Sequence, residues 1–243
     1  MPALEDAASW AAASFTVLSV QGMARGASCL SQSKDGLLQL WDVATQKLCW
    51  EVATDSCSFA RCLALPTAGG DPLDADPSSC LLCSPLSEPH VIGVFDSRCP
   101  ASSPAAPSRR SELVLSGSAA EQRKRLGEPE GAASLGMCMS LCAVPALGPT
   151  HVLATYESTD TCVWDLRSPE KPLLASCLAG DPASPAICSA VLWRKAWVAS
   201  AGGDISILRL RQDGIERTSA VRTAPTPYSQ KSTQSEAGAW QSE

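Results

Sequence analysis

Histidine is nearly missing from this chain: among 243 residues there are only His90 and His151. So few imidazoles leave little material for a histidine-based metal centre or a Ser-His-Asp relay. Both stand at the entrances of short apolar runs and read as structural residues. Charge is scarce too, at 18% of residues, with a net value of −6. No half of the chain supplies the strongly basic face that phosphate backbones require, so direct nucleic-acid binding is not expected. No apolar run approaches the roughly 18 residues of a membrane span. The opening "MPALEDAASWAAASF" carries acids where a signal peptide needs bases. The expected setting is therefore soluble, cytoplasmic and/or nuclear. Phosphate loops are lacking, because "TAGGD" and "SAGGD" have no following lysine, and no Gly-x-Ser-x-Gly elbow occurs. A non-enzymatic protein without cofactor, membrane or small-molecule substrate is the expectation.

What is abundant is apolar material, 45% of residues, which suffices for a real core. Twelve of these residues are cysteines, mostly set inside apolar runs. In a reducing compartment they read as buried thiols rather than as a disulfide framework. Cys80 and Cys83 in "CLLC" nonetheless have zinc-ligand spacing, and Cys138 with Cys142 could complete a site. Leu81-Leu82 is not the polar or glycine knuckle such turns usually carry. A metal- or redox-active thiol protein stays open as an alternative, while the expectation is that no metal is bound.

The apolar runs are short, β-prone and grouped. "FTVLSV", "ASCLSQ", "LLQLWD" and "KLCWEV" are separated by turns, and the same grouping returns three times. The units fall near residues 15–55, 56–116, 135–180 and 184–218. Four short strands per unit is the content of one propeller blade, so the fold class predicted is all-β, a WD40-type β-propeller with about four recognisable blades. The third strand of each unit ends at an equivalent station: Trp41-Asp42, Phe95-Asp96, Trp164-Asp165 and Leu208. These stations are 54, 69 and 44 residues apart, against about 40–45 for a WD40 repeat. The excess lies in turn-rich insertions, the longest near 97–134, expected to be a disordered loop on a blade. Residues 1–14 read as an N-terminal extension and 219–243 as a disordered tail. The aromatic at each station is expected to pack against the next blade. The aspartate after it is expected to accept N–H groups of the following turn.

"SCLSQSKDGLLQLWDVATQKL" and "LGMCMSLCAV…HVLATYESTDTCVWDLRSPEKPLLASCLA" resemble the WD-repeat family of guanine nucleotide-binding protein β-subunit-like protein 1, whose fungal counterpart is ASTRA-associated protein 1. The similarity spans roughly residues 15–215. It implies a seven-bladed propeller acting as a scaffold. By the same resemblance its partners are co-chaperone subunits and phosphatidylinositol-3-kinase-related kinases during their maturation, with links to DNA-damage signalling and a chromatin-associated assembly. The chain departs from the pattern: no Gly-His dipeptide occurs, and Leu208-Arg209 replaces Trp-Asp in the fourth unit. Four units either close as a ring or belong to a larger propeller. A true G-protein β-like subunit is a third reading, although "MPALEDAASWAAAS" is short for a helix that would coil with a γ partner. Partner-contacting residues are not identifiable from the sequence.

Overall fold

The structure is a computed structural model that describes residues 15–56, 58–66, 79–98, 109–113, 135–169, 172–177 and 184–222. Its strands form four antiparallel sheets of four. The first holds β1 (Val17–Met23), β2 (Ser28–Ser33), β3 (Leu37–Asp42) and β4 (Lys47–Ala53). The second holds β5 (Leu63–Pro66), β6 (Cys80–Pro85), β7 (Ile92–Asp96) and β8 (Arg109–Leu113). β9 (Cys138–Ala143), β10 (His151–Tyr156), β11 (Asp160–Asp165) and β12 (Leu174–Cys177) make the third. β13 (Ala186–Leu192), β14 (Lys195–Ser200), β15 (Asp204–Leu210) and β16 (Ile215–Arg222) make the fourth. In every sheet the strands lie side by side in chain order, so each is a meander of local hairpins.

The pleat explains how one sheet can serve two cores. Alternate residues point to opposite faces, and here both faces are apolar. In the first sheet Leu30, Leu38, Leu40, Trp50 and Val52 face the second, meeting Ala64, Cys80, Leu82 and Phe95. The other face of the second sheet, with Leu65, Leu81, Cys83 and Val94, meets Val152, Ala154, Tyr156 and Trp164 of the third. The third sheet then turns Leu153, Val163 and Leu174 to Ala196, Val198, Leu208 and Leu210 of the fourth. Among the described residues no further core joins the fourth sheet back to the first. Polar groups stitch the same seams. Gln32 Nε2 donates to the Ala60 carbonyl at 3.0 Å, and its Oε1 accepts the Cys62 N–H at 2.9 Å. Ser58 Oγ donates to the Cys138 carbonyl at 2.8 Å.

The turn between second and third strands takes a left-handed residue in three sheets: Gly36 (φ 80°), Thr159 (φ 73°) and Gly203 (φ 83°). Gly36 has a further constraint, since a Cβ there would sit 2.9 Å from the Asp55 backbone.

Several boundaries differ from the sequence expectation. Phe15 precedes β1 and is 62% exposed, because the first residues of that run have no strand partner. Phe59 likewise stays outside β5, in the link between sheets. The fourth strand of the second sheet is Arg109–Leu113, ending short of the expected unit boundary at 116, with Val94 registered on Ser111. The expected insertion at 97–134 is therefore interrupted by a strand. β16 is a full strand to Arg222, paired with β15 except at a bulge at Thr218, so the expected tail loses residues 219–222. The extension 1–14, the remainder of the insertion and residues 223–243 lie outside the described residues.

Candidate interaction face

The repeat stations come first, because they set how the sheets present their ends. Trp164, Phe95 and Leu208 are fully buried, and each packs against the sheet before its own. The expected packing against the next sheet is corrected by pleat parity: residues at this station share a face with the backward-pointing set. Trp41 obeys the same parity and therefore points away from the second sheet, yet is only 8% exposed. Its Nε1–H donates to Ser31 Oγ at 3.0 Å across the β2–β3 ladder. At the matching diagonal the third sheet has Ala154, and the buried Trp164 Nε1 finds no acceptor. Phe95 meets Trp50 edge-on, with ring centroids 6.3 Å apart.

The aspartates after the stations hold the third-to-fourth-strand turns. Asp42 accepts the Thr45 N–H at 2.7 Å and its hydroxyl at 2.8 Å, which lowers its pKa. Asp96 accepts the Arg98 N–H at 3.0 Å and the Arg98 guanidinium at 2.6 Å. Asp165 does the same with Arg167 and also accepts Thr150 Oγ1 at 2.9 Å; Arg167 holds its carboxyl well below the usual carboxylate range. Arg209 replaces the aspartate in the fourth sheet.

His151 does not stand alone as the sequence suggested. It is buried opposite Asp165, with Nε2 4.0 Å from Oδ2. Thr150 already donates to that carboxylate, and the buried His151 Nδ1 has no partner. At that distance no hydrogen bond joins the two, although they are registered opposite each other in the β10–β11 ladder. The cysteine pairs do not converge either. Cys80 and Cys83 are three residues apart on one strand, so the pleat turns them into different cores. Cys138 and Cys142 likewise separate, the latter packing toward the fourth sheet. Burial pushes the thiols of Cys62, Cys83 and Cys138 up to about 12, which removes thiolate at neutral pH. Among the described residues no three metal-ligating side chains converge.

The described residues also form a concave surface. The first strands β5, β9 and β13 lie side by side, and their C-terminal ends open into a groove of about 370 Å³. Leu65, Pro66, Leu141, Pro145, Pro149 and Val191 line it, with Pro145 and Pro149 exposed at its rim. Strand direction puts the first-to-second and third-to-fourth connections at this same end. Both long connections of the second sheet, 67–79 and 97–108, therefore leave from the groove end. Sequence reading missed this groove, because it is made by three strands distant in sequence. The signal available was the proline-glycine cluster "PALGPT" directly after a first strand.

No protein-family model matches the chain, and no curated protein does. Among solved structures it is similar to the β-propeller domain of Cps50 (Swd1) from Myceliophteria thermophila, with a TM-score of 0.58 and 12% identity. The alignment covers 85% of this chain and 60% of that domain, so the chain spans less than two thirds of the propeller it matches. Four consecutive antiparallel meanders, packed face to face and superposing on a solved propeller, make the fold a β-propeller.

Proposed function

We propose that the chain is a non-catalytic WD-repeat scaffold that binds proteins at its groove end. The observation that supports this is the groove itself: apolar, proline-rimmed, and placed where the connections of the second sheet also emerge. Concave apolar sites of a few hundred Å³ suit anchoring side chains of a partner. Rigid sheets carrying variable connections suit recognition. Among the described residues no three metal-ligating side chains converge, and burial raises the pKa of the Cys62, Cys83 and Cys138 thiols. By the family resemblance, the partners are co-chaperone subunits and immature phosphatidylinositol-3-kinase-related kinases, and the setting is cytoplasmic and/or nuclear. DNA-damage signalling and a chromatin-associated assembly come with that same resemblance.

The test is capture from cell extract by the tagged chain, with and without added nucleotide. Recovery of co-chaperone subunits or kinases, insensitive to nucleotide and lost in a Pro145→Glu, Pro149→Glu variant that melts like the parent, is expected. Recovery that the groove variant leaves unchanged sinks the assignment to this face.

A further inference from the structure

Among the described residues no charged side chain lines the groove. Its walls are aliphatic at Leu65, Leu141 and Val191, and Pro66, Pro145 and Pro149 have no N–H to offer. The thiol on the wall, Cys142, is turned onto the Ser189 carbonyl at 3.4 Å. A charged or amide group entering here would lose its hydration without compensation, so the side chain that fills the groove is apolar. A volume of about 370 Å³ is small for a ligand site and leaves room for one or two bulky side chains. The rim is set in advance. Leu147 N–H donates to the Val144 carbonyl at 3.0 Å and His151 N–H to the Gly148 carbonyl at 3.2 Å, while Leu147 packs into the core below. A stiff rim loses little conformational entropy on binding. It belongs to the third sheet, which has a packed neighbour on either face, so its exposure is not that of an end sheet.

A guanidinium stands beside this rim. Thr150 follows Pro149; its carbonyl accepts the Leu166 N–H at 3.0 Å, and its hydroxyl donates to Asp165 at 2.9 Å. Arg167 donates to the same carboxylate through Nε at 3.0 Å and Nη2 at 2.7 Å. The acid is turned in, with 16% of its side chain exposed, and the base is turned out, with 70% exposed. Nη1 of Arg167 makes no hydrogen bond among the described residues. An ion pair that is neutral in sum thus presents its positive end next to the groove. On the opposite wall Val191 leads into the Trp193-Arg194 hairpin, where Arg194 and Lys195 are exposed. The acids of the fourth sheet at this end, Asp213 and Glu216, belong to the β15–β16 hairpin, at least two strands removed from β13.

We propose that the groove takes a short linear protein segment in which one or two bulky apolar residues adjoin an aspartate or glutamate. The apolar residues fill the space between the ends of β5, β9 and β13. The carboxylate meets the free Nη1 edge of Arg167, whose other edge is taken by Asp165. The inference rests on the scaffold reading and names the chemistry of the partner at that same groove.

The full chain is titrated by fluorescence anisotropy against dye-labelled peptides carrying a tryptophan-leucine pair flanked by glutamates, by serines or by lysines. The glutamate-flanked peptide should bind tightest and the lysine-flanked one weakest, with the gap narrowing as salt rises. The Pro145→Glu, Pro149→Glu variant should bind none of them. Arg167→Gln should weaken the glutamate-flanked peptide about threefold to fivefold, the size of an exposed charge contact, and leave the serine-flanked one unchanged. Arg167→Lys gives up the same fork to Asp165 but keeps the charge, so it should retain most of the preference. Equal loss in both Arg167 variants assigns the effect to the turn and overturns the proposal. So does equal affinity for the three peptides, or binding that the groove variant leaves intact. The 67–79 connection starts beside Pro66 and carries Asp71, Asp74 and Asp76. Changing these to Asn should tighten the glutamate-flanked peptide by removing like charge; binding seen only in that variant would make the connection itself the occupant and sink the proposal. Self-association in sedimentation that the groove variant abolishes rejects it in favour of a second copy. Capture from extract that is lost in the groove variant yet keeps full strength in Arg167→Gln leaves the scaffold reading standing and defeats this inference alone.

Discussion

In the third sheet every residue of β10 is buried, and in the second sheet so is every residue of β6. In the fourth sheet only Ala186 of β13 is buried, and β16 is exposed along almost its whole length. The sequence of β13 does not announce this contrast: "AICSAVL" is as apolar as "HVLATY". The fourth sheet packs against one neighbour where the second and third pack against two. The first sheet, at the other end, nonetheless buries most of β2 and β3, Trp41 included.

That contrast can be broken most forcefully at Trp164, which sits in a seam. Its replacement by Ala should cost about 3–5 kcal/mol, the range for deleting a buried aromatic. Leu192→Ala, on the open face of the fourth sheet, should change stability by no more than about 0.5 kcal/mol. Urea melts of the two variants check both values, and similar losses would mean that the open face is covered.

A finer comparison uses the two tryptophan stations. Ser31→Ala removes the acceptor of the Trp41 indole and should cost about 1 kcal/mol. Ala154→Ser puts an acceptor beside the orphaned Trp164 N–H and should return about 0.5–1 kcal/mol. Thermal melts of the pair decide it, and destabilisation by Ala154→Ser would mean that the seam has no room for the hydroxyl.

The smallest effect is expected at the turns. The folded state depresses the Asp165 pKa, so its contribution is complete above the unfolded value of about 3.9 and is lost as pH falls through the folded one. Asp165→Asn should therefore lower the melting temperature at pH 7 slightly and flatten its decline below pH 4. An unchanged acid profile would assign that decline to other carboxylates.

Much of the fold was legible because its elements are local. Hairpins leave apolar runs bounded by turn residues, and the stations Trp41, Phe95, Trp164 and Leu208 could be counted along the chain. Strand β8 is not legible as a strand because "RRSEL" is polar, and its membership is decided by the β7 ladder. β16 was underrated for the same reason: "IERTSAVR" has no apolar alternation, and only pairing to β15 makes it a strand. The direction in which Trp164 packs, the divergence of Cys80 from Cys83 and the groove all depend on which face meets which sheet. Those relations join residues distant in sequence, and no local pattern encodes them.

The chain-order strand arrangement has a kinetic consequence. Every ladder closes between consecutive strands, so no sheet waits for a distant segment before its hydrogen bonds form. The sheets do not close equally fast, however. The fourth is joined by turns of a few residues, whereas the second must close over 67–79 and again over 97–108. Each doubling of such a loop adds about 0.6 kcal/mol of closure entropy. The first sheet, joined by turns as short as those of the fourth, closes as readily, and the second is the slow step between them. On a ribosome the first sheet emerges with its Trp50 and Val52 face uncovered and must wait for its neighbour.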